Sequence, residues 1–127
     1  TSALLALING NDAHHAAVVS EVTRLVAEGT AFFTTSYTLV ETGALVKQRL
    51  GQAAFRSLGE VVERSLDVIW VDEALHHQAW AEAAAATQRG PSLVDCVGFS
   101  IMRQLGVGTA LAIDAHFRTA GFKVVPR

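Results

Sequence analysis

The feature that most constrains this chain is a regular alternation of short apolar runs with longer helix-patterned stretches. "AFFTT" (31–35), "DVIWV" (67–71), "TALAI" (109–113) and "KVVP" (123–126) are β-branched or aromatic and read as strands. Between them the spacing is helical. "SALLALI" ends at the turn cluster "NGND", and Asp12 is placed to cap "AHHAAVVSEVTRLVAEG", which stops at Gly29. Ser36 is placed to cap "YTLVETGALVKQRLG", and residues 52–65 put Phe55, Leu58, Val61 and Val62 on one face. Residues 73–88 are Ala-rich and helical, Pro91–Ser92 and Gly106 bracket another helix, and 115–120 form a short one. Strands alternating with helices imply crossover connections and a mostly parallel sheet covered on both faces, an α/β fold. In such sheets ligands bind beyond the carboxyl ends of the strands, and Asp114 sits where "TALAI" ends.

The chain's 127 residues are expected to make one domain, and half of them are hydrophobic, enough for a core. A net charge of −2 excludes a strongly basic nucleic-acid binder, although a local basic patch can still bind a polyanion. The single cysteine, Cys96, excludes an internal disulfide framework and fits a reducing cytoplasm. No apolar run approaches the roughly 18 residues that span a bilayer, and no signal-peptide pattern is present.

Three carboxylates stand in apolar contexts: Glu41 in "YTLVETGALV", Asp95 in "SLVDCVGFSIM" and Asp114 after "ALAI". Acids are rarely placed so unless paired or metal-bound. Each also has a plain structural role open to it. Glu41 can be an exposed helix position. Asp95 can complete a capping box with Ser92. Asp114 can cap the helix that follows. Taken together, at helix starts and strand ends of one sheet, the three can converge on a pocket. Crowded carboxylates repel one another, and an all-oxygen site suits Mg²⁺ or Mn²⁺ rather than zinc.

With these residues the chain resembles the PIN-domain ribonucleases, and most closely the VapC-type toxins of bacterial toxin–antitoxin pairs. The resemblance runs over essentially the whole chain, through "TSALLALINGNDAHH", "TTSYTLVETGALV", "SLVDCVGFSIMRQLGV" and "ALAIDAHFRTAGFKVVP". It implies a three-layer α/β/α fold with a mostly parallel central sheet, and four acids around one or two divalent ions. Glu41, Asp95 and Asp114 match the second, third and fourth acids. The first normally ends an opening strand immediately before Thr1–Ser2, so that strand and its Asp are expected upstream of Thr1. The implied activity is Mg²⁺- or Mn²⁺-dependent hydrolysis of RNA, with Asp95, Glu41 and Asp114 catalytic and metal-binding, and Thr1, Ser2 and Ser92 supporting them. For Ser92 a plain helix cap is the leading expectation. The resemblance also implies a cognate antitoxin that docks a peptide near the acidic pocket and places an Arg or Lys in it, and a homodimer. Leu4, Leu5, Leu7, Ile8 and the "YTLVETGALV" helix could supply a dimer surface or simply belong to the core.

RNA requires cations. Lys47 and Arg49 follow Glu41 by one to two turns, Arg103 follows Asp95 by two, and His116 and Arg118 follow Asp114, so these are the RNA-contact candidates. Arg24, Arg56, Arg64 and Arg89 read as ordinary surface charge. The pairs His14–His15 and His76–His77 do not read as zinc ligands, because adjacent helical residues diverge by about 100 degrees. Cys96 reads as a small core residue, and Trp70 and Trp80 as core or interface. Two other functions compete. One is a PIN module that binds RNA or protein without cutting, against which three retained acids argue. The other is an α/β phosphotransfer or phosphatase domain, which needs a Lys beyond a late strand. Lys47 is mid-helix and Lys123 lies within the last strand, so no residue supplies it.

Overall fold

The computed structural model describes all of residues 1–127. In chain order it contains α1 (Ser2–Ile8), α2 (His15–Ala27), β1 (Phe32–Thr35), α3 (Ser36–Leu50), α4 (Gln52–Ser65), β2 (Leu66–Ile69), α5 (Glu73–Ala85), α6 (Leu93–Leu105), β3 (Thr109–Leu111), α7 (His116–Thr119) and β4 (Lys123–Val125). The α/β alternation is as the sequence pattern requires, and both strand pairings are parallel. β1 runs beside β2 from Phe32–Leu66 to Thr35–Ile69, and β3 beside β4 from Thr109–Lys123 to Leu111–Val125. Within residues 1–127 the two pairs are not hydrogen-bonded to each other.

Local chemistry sets the element ends. Ser92 Oγ accepts from Asp95 N–H at 3.1 Å, and Asp95 Oδ2 accepts from Ser92 N–H at 3.1 Å. This reciprocal capping box starts α6 where Pro91–Ser92 predicts. Gly106 ends it in the left-handed region at φ 68°, a conformation that favours a residue without Cβ. Two caps differ from expectation. The residue preceding α2 is His14, and Asp12 Oδ1 accepts from its N–H at 2.7 Å, shaping the approach rather than capping the helix. α3 is capped by Thr35, whose Oγ1 accepts from Thr38 N–H at 3.1 Å. Ser36 lies inside the helix and accepts from Val71 N–H at 3.0 Å, tying α3 to the end of β2. Both residues of the Thr-Ser pair can cap; the one left extended at the strand end does so.

α6 is the central helix. Cys96, Val97, Phe99, Ser100, Ile101 and Met102 are all buried on it. Ala79 of α5 packs on Cys96, Val97 and Ile101, with Phe33, Tyr37, Ile69 and Leu75 around them. On its other side Phe99 meets Phe117 edge-on at 4.9 Å and Phe122 in a stack at 5.8 Å. Aromatic pairs of this geometry add roughly 0.5–1.5 kcal/mol beyond their burial. Gly98 makes the approach possible, since a Cβ there would stand 3.2 Å from Phe117 Cζ. Gly98 lies one turn beyond Asp95, so the same face of α6 carries the carboxylate and the notch that seats α7. Trp70 and Trp80 are not core residues, being 76% and 58% exposed. No helix is long and apolar enough to cross a membrane.

Candidate active site

Two of the three sequence-selected acids meet here, together with a histidine. One ligand atom from each of Asp95, Asp114 and His116 lies within 4.8 Å of the others. Asp95 comes from the first turn of α6, and Asp114 from the turn between β3 and α7, at the carboxyl end of the strand. The Phe99–Phe117–Phe122 cluster docks that turn onto α6 and so sets their separation.

Each carboxylate is held by named donors. Asp114 Oδ2 accepts from Ser2 Oγ–H at 3.1 Å, and Asp114 Oδ1 from His116 N–H at 3.1 Å. Ser2 Oγ in turn accepts from Ile113 N–H at 3.0 Å, fastening the start of α1 to the chain just before Asp114. Asp95 Oδ2 takes the Ser92 N–H and faces His116 Nδ1 at 2.9 Å, while its Oδ1 has no hydrogen-bond partner. The other ring nitrogen, His116 Nε2, lies 3.3 Å from the Arg89 carbonyl oxygen. Burial works against the charged form of this imidazole, but the Asp95 hydrogen bond and charge, the Arg89 carbonyl and Asp114 outweigh it. The His116 pKa is raised above its ordinary value.

Glu41 occupies the second turn of α3, half-buried, outside the 4.8 Å group. It shares the neighbourhood through Thr1. Glu41, Asp114 and Asp95, in that order of influence, all lie close enough to the Thr1 nitrogen for their charges to act there. All three carboxylates therefore act on one point. Thr1 Oγ1 is buried there without a hydrogen-bond partner.

The cation candidates divide by geometry. Lys47 and Arg49 are exposed in the last turn of α3, with Lys47 Nζ 5.5 Å from the Phe55 ring centre. Arg118 is exposed on α7. Arg103 lies 5.8 Å over both Phe99 and Phe122, and 3.7 Å from Glu82. His116, selected from the sequence as a phosphate contact, instead has its ring against Asp95. The Asp-x-His spacing of residues 114–116 foreshadows the local turn; the reach to Asp95 across the fold has no sequence signal.

No protein-family model and no curated protein matches the chain. Among solved structures it is similar to VapC20 of Mycobacterium tuberculosis, a toxin that cleaves the sarcin–ricin loop. The two share 32% identity and superpose with a TM-score of 0.82 over 95% of this chain and 92% of that one. The chain belongs to the VapC-type PIN-domain toxins. These are the endoribonucleases of toxin–antitoxin pairs, and their fold is the mixed α/β arrangement described above. Membership gives the Asp95–Asp114 pair a chemical context, because a nuclease must bring a phosphodiester to its acids.

Proposed function

We propose that this toxin hydrolyses RNA with a divalent cation held by Asp95 and Asp114, with Glu41 completing the acidic wall. The observation that carries this reading is the convergence of the two aspartates, from separate elements, within 4.8 Å. The donor set fits Mg²⁺ or Mn²⁺. Two close carboxylates repel and favour a cation between them; Asp95 keeps one oxygen without a partner; and the Thr1 hydroxyl is buried and unmatched beside them. Bound there, the ion would activate water and stabilise the charge that develops on the phosphate.

The chain's own residues supply the rest. Ser2 and the His116 backbone hold both oxygens of Asp114, so that carboxylate cannot rotate freely. The capping box fixes Asp95 at the helix start. Lys47, Arg49 and Arg118, all exposed, are the proposed phosphate contacts, and Ser92 serves as the helix cap. The first acid of the family pattern is proposed to stand immediately before Thr1. RNA is the substrate class. The sarcin–ricin loop, cut by VapC20, is the first RNA to try. A cognate antitoxin is proposed to neutralise the acidic pocket with an Arg or Lys, in the cytoplasm, and the toxin is proposed to form a homodimer.

The test is RNA cleavage with Mg²⁺, with Mn²⁺ and with EDTA, on this chain and on one extended upstream by a strand ending in Asp. Cleavage that needs the metal and is abolished in Asp95→Asn supports the reading. Cleavage that persists in EDTA overturns the metal assignment. A folded protein that binds RNA but cuts none in either form would favour the non-catalytic module.

A further inference from the structure

We propose that His116 is a positioning residue for the metal site rather than an RNA contact: its imidazole fixes the orientation of Asp95. The proposal rests on the metal-dependent reading above. Four contacts converge on this residue. Nδ1 is 2.9 Å from Asp95 Oδ2 and 3.8 Å from Asp114 Oδ1. Nε2 is 3.3 Å from the Arg89 carbonyl oxygen. The backbone N–H donates to Asp114 Oδ1 at 3.1 Å. One residue thus touches both aspartates and the loop that precedes α6.

The consequence follows from which oxygen is occupied. Asp95 Oδ2 takes both the Ser92 N–H and the imidazole, so the carboxylate plane is fixed by two donors. Oδ1 is left as the oxygen available to a cation. Without the imidazole, Ser92 N–H alone holds Oδ2, and the carboxylate can swing about that single bond. Groups that orient a metal's ligands in this way typically carry 10–100-fold in metal affinity. The ring is itself located from two further sides. Phe117, the next residue, is wedged against Phe99 and into the space beside Gly98. The Arg89 carbonyl receives the far nitrogen.

An RNA contact predicts something different. The ring nitrogen facing Asp95 is directed inward, against an acid, where a phosphate would be repelled. Arg118, two residues on and exposed, is the better phosphate ligand on α7.

The experiment is a titration with Mn²⁺ alone, without RNA, followed by the paramagnetic signal of the free ion. The wild-type protein is set beside His116→Ala, His116→Asn and His116→Gln. The amide nitrogen of Asn falls near the place of Nδ1, and that of Gln near Nε2. The expected result is a roughly 10–100-fold weaker Mn²⁺ affinity in the Ala variant, recovered in large part by Asn and not by Gln. RNA binding in EDTA, and its salt dependence, should be unchanged in all three.

Wild-type Mn²⁺ affinity in the Ala variant overturns the proposal while leaving the metal site intact. A weakened RNA affinity with unchanged Mn²⁺ affinity returns His116 to the RNA surface. No Mn²⁺ binding by the wild type overturns the metal reading and this inference with it. A metal-free measurement guards against a variant that fails to fold. The wild-type imidazole should give a hydrogen-bonded Nδ1 proton signal that shifts in Asp95→Asn. A ring protonated at Nε2 only would overturn the proposal independently of any metal.

Discussion

Ser2 and Asp114, 112 residues apart, are joined through one hydroxyl, which donates to Asp114 Oδ2 at 3.1 Å and accepts from Ile113 N–H at 3.0 Å. Ser2→Ala removes both bonds and leaves a partly buried N–H unmatched. An unmet buried donor costs about 1–3 kcal/mol. Partial burial places the expected loss near the lower end. Ser2→Thr, which keeps the hydroxyl, should lie close to wild type. Urea unfolding checks this, and equal midpoints for wild type and Ser2→Ala would show that the α1–β3 link adds nothing to stability.

Asp95 has two roles that different substitutions separate. Asn retains an oxygen that can accept from Ser92 N–H, so the α6 cap survives while the negative charge is removed. Asp95→Asn should abolish metal-dependent cleavage with a stability change below about 1 kcal/mol. Asp95→Ala loses half the capping box as well, and should unfold about 1 kcal/mol more easily than wild type. Paired cleavage assays and thermal melts decide. Full metal-dependent activity in Asp95→Asn would remove it from the site.

The element order was legible because strands and helices carry different apolar periods, and Ser92 and Gly106 announce the limits of α6 in their own chemistry. The pairing of Asp95 with Asp114 was foreshadowed because a carboxylate in an apolar run is costly without a purpose. Two things were not legible. The exposure of Trp70 and Trp80 removes the core half of the expectation that they are core or interface residues, since a residue's type does not say which side of its element faces the core. The His116–Asp95 contact spans 21 residues of sequence, with the neighbouring Phe117 packed edge-on against Phe99 of α6.

The basic residues should separate in salt titrations of RNA binding. Lys47 and Arg49 have no acidic partner and are exposed, so Lys47→Ala with Arg49→Ala should weaken binding. The slope of log affinity against log salt should flatten by about 0.7 for each phosphate of a single strand that is no longer neutralised. Arg103 behaves differently, because its guanidinium is occupied by Phe99, Phe122 and Glu82. Arg103→Ala should leave the slope unchanged and cost about 1 kcal/mol of stability by removing the cation–π pairs and the packing of the side-chain stem. A flattened slope in Arg103→Ala alone would reverse the assignment.

Gly98→Ala sets two effects of similar size against each other. In a helix interior Ala is favoured over Gly by roughly 0.8–1 kcal/mol. Opposing this, the new Cβ would stand 3.2 Å from Phe117 Cζ, tighter than ordinary packing, and 3.5 Å from its Cε1, an ordinary contact. Phe117 must then give way by a few tenths of an ångström, and overpacking of this kind costs about 1–3 kcal/mol. Phe117 is half-buried, and the two effects should nearly cancel, so net stability should change by less than about 1 kcal/mol. Activity should not be spared. Moving Phe117 moves His116, and with it the 2.9 Å contact to Asp95. The expected signature is a near-normal melting temperature with weakened Mn²⁺ binding and slowed cleavage. Unchanged Mn²⁺ affinity would mean that the Phe117 notch on α6 does not control the geometry of the acids.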